Sequence, residues 1–248
     1  MTKRALVTGA ASGIGRATAL LLAERGAAVA CLDVNEEGLA ETAAAIGERA
    51  LPLRCDITDL AAVEAAVARA ASELGGLDAV ANVAGVGDFT GDVTEIHPQE
   101  WGRVLAINLS GAFHVSRAAI PHLRAAGGGA IANVSSQFGL VGCLASPAYC
   151  ASKAGLIGLT RAMAIDHTEE GIRVNCVCPG PVDTPMLAWT VATPELTARE
   201  RARTQGRNLT GRSGRPEEIA TTIAFLLSDE VGFMSGSVVA VDGGWSAG

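Results

Sequence analysis

Aromatic residues are scarce: 248 residues hold five phenylalanines, three tryptophans and a single tyrosine, Tyr149. Lysine is nearly absent, with only Lys3 and Lys153 beside 17 arginines. Acidic residues outnumber basic ones by 26 to 19, a net charge of −7 and a pI near 5.1, which argues against a general phosphate-backbone binder. Cysteine is present but unpatterned. Residues 31, 55, 143, 150, 176 and 178 lie scattered in apolar segments, without the paired spacing of a zinc site or a secreted disulfide scaffold, so reduced, mostly buried thiols are expected. No apolar run approaches the roughly 20 residues of a membrane span. Thr8, Gly9, Ser12 and Gly13 break up the N-terminal apolar segment, so a signal-peptide core is not expected and a soluble, cytoplasmic protein is. Disorder is excluded by the 49% of hydrophobic and 18% of charged residues.

Short β-type runs alternate with helical spacing along the whole chain, the pattern of βαβ units and a parallel sheet covered on both faces. Strands are expected near 4–8, 28–33, 50–55, 77–83, 129–135, 172–178 and 237–242, and helices near 13–25, 35–47, 59–74, 98–125, 148–169 and 216–228. No linker, low-complexity tract or internal repeat divides the chain, which predicts one α/β domain over 1–248. The connection 185–215 is far longer than the usual 2 to 6 residues of such units and reads as a candidate lid over a substrate.

The first strand runs into Thr8-Gly9-Ala10-Ala11-Ser12-Gly13-Ile14-Gly15 and then into helical spacing. Strand, glycine turn and helix in that order let the backbone approach a pyrophosphate, which sits against unpaired N–H groups at the positive end of the helix dipole. The spacing is GxxxGxG, not the commoner GxGxxG. The second strand ends in Asp33, close to the offset of about 20 residues at which an acid meets the adenosine ribose hydroxyls. A carboxylate there accepts from a 2′-hydroxyl and repels a 2′-phosphate, so NAD is favoured over NADP. Arg16, in the same turn, is expected to point away along the helix.

Tyr149 and Lys153 stand four residues apart at the start of a predicted helix and therefore share a face. Random placement of two lysines would seldom do this. A chain that otherwise uses arginine for its cations has kept a compact, rotatable ammonium here. A free phenol titrates near pH 10, and each unit of depression by a nearby ammonium corresponds to about 1.36 kcal/mol. That interaction moves the phenol toward acid/base use at neutral pH.

With these residues placed, the chain resembles the short-chain dehydrogenases/reductases of the compact type, essentially end to end. Thr8–Gly15 resembles that family's TGxxxGxG, Asn82-Val83-Ala84-Gly85 its NNAG, Tyr149–Lys153 its YxxxK, and Pro179-Gly180 its PG turn. The resemblance implies a doubly wound (Rossmann) parallel sheet of seven strands and hydride transfer between NAD(H) and a secondary alcohol or ketone. Tyr149 is then the general acid/base, Lys153 its partner, Ser136 the residue that orients the substrate oxygen, and Asn108 the support of a proton relay. Cofactor contacts are implied for Gly9, Ser12, Gly13, Ile14, Gly15, Asp33, Asp56, Ile57, Asn82, Ala84, Gly85, Pro179, Gly180, Val182 and Thr184, besides Tyr149 and Lys153. Ser12 stands where NADP enzymes often carry a basic residue. Val83 departs from NNAG and removes a polar tether. A homotetramer is also implied.

The substrate pocket is expected to gather Val86, Phe89, Gln137, Phe138, Cys143, Pro181, Met186, Leu187 and Trp189, an apolar lining suited to a hydrophobic or cyclic alcohol of modest size. No metal is required, and His97, His114, His122 and His167 show no ligand or triad spacing. Cys150 is read as packing. Two other functions stay open. Arg199, Arg201, Arg203 and Arg207 in the lid would suit a 3-oxoacyl-thioester (acyl-carrier-protein) reductase using NADPH, whereas a non-catalytic NAD(P)-sensing regulatory protein would need the glycine cradle but not the Ser136, Tyr149, Lys153 set.

Overall fold

The strands are apolar along their whole length because both of their faces are covered. In the computed structural model, which describes residues 4–87, 91–192 and 208–247, they form one seven-stranded parallel sheet. The strands are β1 (Arg4–Thr8), β2 (Ala28–Asp33), β3 (Ala50–Arg54), β4 (Ala79–Asn82), β5 (Gly129–Val134), β6 (Ile172–Pro179) and β7 (Val238–Val241). Their order is β3-β2-β1-β4-β5-β6-β7, every neighbouring pair parallel. The helices are α1 (Gly13–Glu24), α2 (Glu36–Ile46), α3 (Leu60–Leu74), α4 (Pro98–Leu105), α5 (Ala112–Ala125), α6 (Pro147–His167), α7 (Pro185–Ala192) and α8 (Pro216–Leu227).

Alternation of side chains along each strand divides the interior into two cores. Ala5 and Val7 of β1 join Leu22 of α1, Leu39 of α2 and Ile223 of α8 on one face. Leu6, between them, joins Val67 of α3, Val115 of α5 and Met163 of α6 on the other. Alanine is frequent at these positions (Ala30, Ala79, Ala81, Ala130, Ala132), which lets the helices lie close to the sheet.

Two features differ from the sequence expectation. The helix expected over 98–125 is broken by a π-helical turn, Ala106–Gly111, between α4 and α5. Hydrophobic period does not reveal one widened turn, and such turns recur at functional sites. Gly111 closes it against Ile57, where a Cβ would come within 2.5 Å of the Ile57 Cδ1. The segment expected as a lid begins with a helix, α7, and its two feet are joined: Val182 bridges Gly214, with Gly214 N donating to Pro181 O (2.9 Å) and Asp183 N to Gly214 O (2.9 Å). The connection thus leaves and re-enters the fold at one point. Its residues 193–207, with Arg199, Arg201, Arg203 and Arg207, lie outside the described residues. Among the described residues no helix is long and apolar enough to cross a membrane, and no metal-binding cluster occurs.

Candidate active site

The strand order reverses between β1 and β4, and a crevice opens there at the carboxyl ends of the strands. It is a cleft of about 690 Å³ lined by Gly9, Ser12, Gly13, Ile14 and Gly15. Gly9 (φ +70°) and Gly13 (φ +51°) hold left-handed backbone, and a Cβ on Gly15 would lie 2.0 Å from the Gly9 carbonyl oxygen. α2 and α3 are capped by Asn35 and Asp59, whose side chains accept from their first-turn N–H groups, but Ser12 makes no such bond to α1. The first N–H groups of α1 are therefore left for an anion in the cleft. The opposite wall is fixed by Thr8, whose Oγ1 accepts from Val83 N (3.0 Å) and Ala84 N (3.1 Å). These residues suit the pyrophosphate of a dinucleotide.

At the far end of the cleft Asp33 is held by two backbone donors, Ala11 N to Oδ2 (3.1 Å) and Asn35 N to Oδ1 (3.0 Å). Asp56 and Ile57 form the neighbouring wall, and Thr58 N donates to Asp56 Oδ1 (2.9 Å). The Thr58 hydrogen bonds hold the Asp56 carboxyl below the usual carboxylate range. Arg16 is turned away and pairs with Glu41 (2.8 Å).

A second, smaller cleft of about 130 Å³ adjoins the first and contains Ser136, Tyr149 and Lys153 together. The Lys153 Nζ lies 5.6 Å from the centre of the Tyr149 ring and donates to Val134 O (2.9 Å) at the end of β5. Burial pushes the Lys153 pKa down to about 8. Ser135 clamps the same residue from behind, its Oγ donating to Lys153 O (2.8 Å). Ser136 Oγ accepts from Phe138 N (3.1 Å), so its own proton remains free to be donated into the cleft.

Asn108 sits in the π-helical turn with both ends of its amide engaged. Oδ1 accepts from Val86 N (2.8 Å), and Nδ2 donates to Val86 O (2.9 Å) and Ser152 Oγ (3.1 Å). This ties the loop after β4 to the helix carrying Tyr149. A Cβ on Gly85 would come within 3.2 Å of both Asn108 Oδ1 and Lys153 Nζ, so glycine is needed for the approach.

The two clefts bring together most of the residues singled out in the sequence: Ala84 and Val86 in the first, Gln137, Phe138, Pro179, Gly180, Pro181, Val182 and Leu187 in the second, Gly85, Thr184 and Met186 in both. Asn82 is an exception and lines neither cleft. Its side chain points into the core, where Nδ2 donates to Ser116 Oγ (2.9 Å) and Asn133 Oδ1 (2.8 Å), tying β4 to α5 and β5. Cys143 lines neither cleft; its backbone N donates to Cys150 Sγ (3.2 Å). Phe89 and the side chain of Trp189 lie outside the described residues. Val83, the departure from NNAG, lines both clefts while packing on the core.

Sequence reasoning missed several lining residues. Val34 and Thr58 follow Asp33 and Ile57 directly, so adjacency was the available signal. Arg103, on α4, also lines the first cleft and pairs with Glu100 (2.7 Å); nothing in its sequence setting marks it.

Fold and site together define a nicotinamide-dinucleotide oxidoreductase of the doubly wound α/β class. A family model described as enoyl-(acyl carrier protein) reductase matches residues 9–246. The cis-4-hydroxycyclohexanecarboxylate dehydrogenase of Sinomonas cyclohexanicum is 48% identical over 98% of this chain and 96% of that protein. The cyclohexanol dehydrogenase of Acinetobacter sp. strain SE19 is 38% identical over 99% and 95%. The crystal structure of levodione reductase superposes with a TM-score of 0.94 at 35% identity, covering 99% of this chain and 98% of that one. The chain belongs to the short-chain dehydrogenase/reductase family. It is an oxidoreductase that moves a hydride between a nicotinamide dinucleotide and an alcohol or carbonyl carbon.

Proposed function

We propose that this protein is an NAD-dependent dehydrogenase of small cyclic secondary alcohols. The observation that carries the reading is the small second cleft, which sets Ser136, Tyr149 and Lys153 beside the apolar side chains of Phe138, Pro181, Val182, Met186 and Leu187. That apolar lining suits a hydrophobic ring. Two relatives act, by their names, on hydroxylated cyclohexanes, which supports the same substrate class.

The nicotinamide, when bound, accepts or supplies the hydride. Everything else is asked of the chain's own residues. Ser136 donates its proton to the substrate oxygen and orients it. Tyr149 takes the hydroxyl proton when an alcohol is oxidised and returns one when a ketone is reduced. Lys153 stabilises the phenolate, and Asn108 holds the loop and helix that frame it. The cradle of Gly9, Ser12, Gly13, Ile14 and Gly15 binds the pyrophosphate, with Asp56 and Ile57 beside the adenine and Pro179, Gly180, Val182 and Thr184 beside the nicotinamide. A panel of cyclic and open-chain secondary alcohols, assayed by the absorbance of reduced nicotinamide, tests the substrate class. Cyclohexanol-type rings turned over at least tenfold more efficiently than linear alcohols are expected; equal or better use of linear alcohols or of 3-oxoacyl thioesters overturns the reading.

NAD is preferred because the Asp33 carboxylate is fixed in the cleft wall by two backbone donors, while Arg16 is engaged with Glu41 outside it. A hydrogen bond to a charged group contributes about 1.5–3 kcal/mol, so Asp33→Asn is expected to lower the NAD-to-NADP ratio of kcat/KM by about 10- to 100-fold. An unchanged ratio in steady-state assays with both cofactors removes Asp33 from the adenosine site. The same preference weighs against the NADPH-dependent thioester reductase. Exposed Trp101 and Phe113 on α4 and α5 are apolar surface that assembly into a homotetramer would cover.

A further inference from the structure

Buried amides in folded proteins are almost always hydrogen-bonded, and each exception calls for a reason. Gln137 is one such exception. It is 2% exposed, yet its Oε1 is enclosed without a hydrogen-bond partner. Leaving such a group unpaired destabilises the fold, and a methionine of similar volume would fill the space without that cost.

The position of this residue shows what the cost is for. Gln137 follows Ser136 directly and opens the short 3₁₀ turn Gln137–Gly139, in which Phe138 N donates to Ser136 Oγ. It lines the same cleft as Tyr149 and Lys153. Asn82 Oδ1 and Ser146 Oγ are likewise enclosed and unpartnered, but neither residue lines that cleft. An amide offers an acceptor and two donors on one flat group that turns easily about its last side-chain torsion. It is the only side-chain amide among the described residues of the cleft.

We propose that Gln137 is a specificity-determining residue that recognises a second, uncharged hydroxyl on the cyclic substrate, one ring position or more away from the carbon that is oxidised. A hydroxyl both donates and accepts, so it satisfies the lone oxygen that the fold leaves unpaired. A carboxylate in that place would find no free cation among the described residues of the cleft, since Lys153 is the one cation there and its ammonium is engaged by Val134 O and the Tyr149 ring. The preferred substrates are therefore cyclic diols or their hydroxyketone counterparts rather than simple cyclic alcohols. This assignment rests on the reading of the protein as a cyclic-alcohol dehydrogenase.

The test compares kcat/KM for cyclohexanol and for the isomeric cyclohexanediols in the wild type, Gln137→Met and Gln137→Leu. The wild type is expected to favour at least one diol over cyclohexanol. Both variants should lower that diol-to-cyclohexanol ratio by about 10- to 100-fold, because a site that bonds a hydroxyl discriminates strongly against its absence and an apolar one does not. The melting temperature of Gln137→Met should stay level or rise, whereas a merely structural glutamine would lower it and move both substrates together. Ratios within about twofold of wild type for every diol overturn the assignment. Oxidation of cyclohexanol with no diol preferred overturns it while leaving the cyclic-alcohol reading standing; turnover of neither cyclohexanol nor any diol removes both.

Discussion

Tyr149→Phe is expected to cut kcat by about 10²- to 10⁴-fold, the range ascribed to a positioned general acid or base, while the dinucleotide still binds. Phenylalanine keeps the ring that packs beside the Lys153 ammonium at 5.6 Å and removes only the hydroxyl. The cradle at Gly9–Gly15 and the carboxylate of Asp33 are untouched, so the Kd for NAD from calorimetric titration should change by no more than a few fold. Loss of kcat without loss of binding is the signature of a group that acts only as the proton moves. A purified variant with more than a tenth of wild-type turnover would falsify the role. Tyr149 is the only tyrosine, so no other phenol in the chain can take over its chemistry.

Lys153→Met is the second large effect, and it works in opposite directions on activity and stability. Turnover should fall by at least 10²-fold, because the phenol loses the cation that makes its ionised form accessible. Stability should rise. Burial lowers the Lys153 pKa from 10.5 to about 8, so the folded protein carries an ammonium that costs roughly 3 kcal/mol to keep charged. The lost hydrogen bond from the ammonium to Val134 O offsets about 1.5–3 kcal/mol, leaving a net gain of at most about 1.5 kcal/mol for the variant.

The pH dependence follows from the sign of that shift. Below about pH 8 both folded and unfolded chains hold the proton, and the cost to the wild type is full. Between about 8 and 10.5 the unfolded chain binds more protons than the folded one, so wild-type stability rises relative to the variant. The advantage of Lys153→Met should therefore be greatest below pH 8 and fade across that window. Urea unfolding of both proteins at matched pH measures it. A variant less stable than wild type at neutral pH, or a difference that does not shrink with rising pH, contradicts the account. A buried, costly lysine in a chain with only one other is best understood as a group retained for its chemistry.

The legible parts of the site were those built from local sequence. The glycine turn could be read because Gly9 and Gly13 need left-handed backbone and Gly15 has no room for a Cβ, requirements that only glycine meets. The pairing of Tyr149 with Lys153 could be read because four residues along a helix are neighbours whatever the rest of the fold does. Asp33 could be read from its distance past the cradle within one βαβ unit. The inward turn of the Asn82 side chain could not be read, because which side of a strand end faces a cleft depends on the helix packed behind it, and α5 supplies Ser116 as a partner there. Arg103 belongs to the cleft only because the π-helical turn and the loop after β4 place α4 at its rim.

Period, glycine spacing and strand composition by themselves determined the alternating α/β architecture, the glycine turn between β1 and α1 and the helical pairing of Tyr149 with Lys153, since each depends on contacts within a few turns of chain. Only the tertiary structure decided that the ends of β1, β4, β5 and β6 meet around one pair of clefts, that the Lys153 ammonium is wholly enclosed beneath Val134, and that the amide of Gln137 is left wanting a partner. Burial and unmet hydrogen bonds are properties of surroundings assembled from distant segments, and a residue's own neighbours in sequence carry no record of what will close over it.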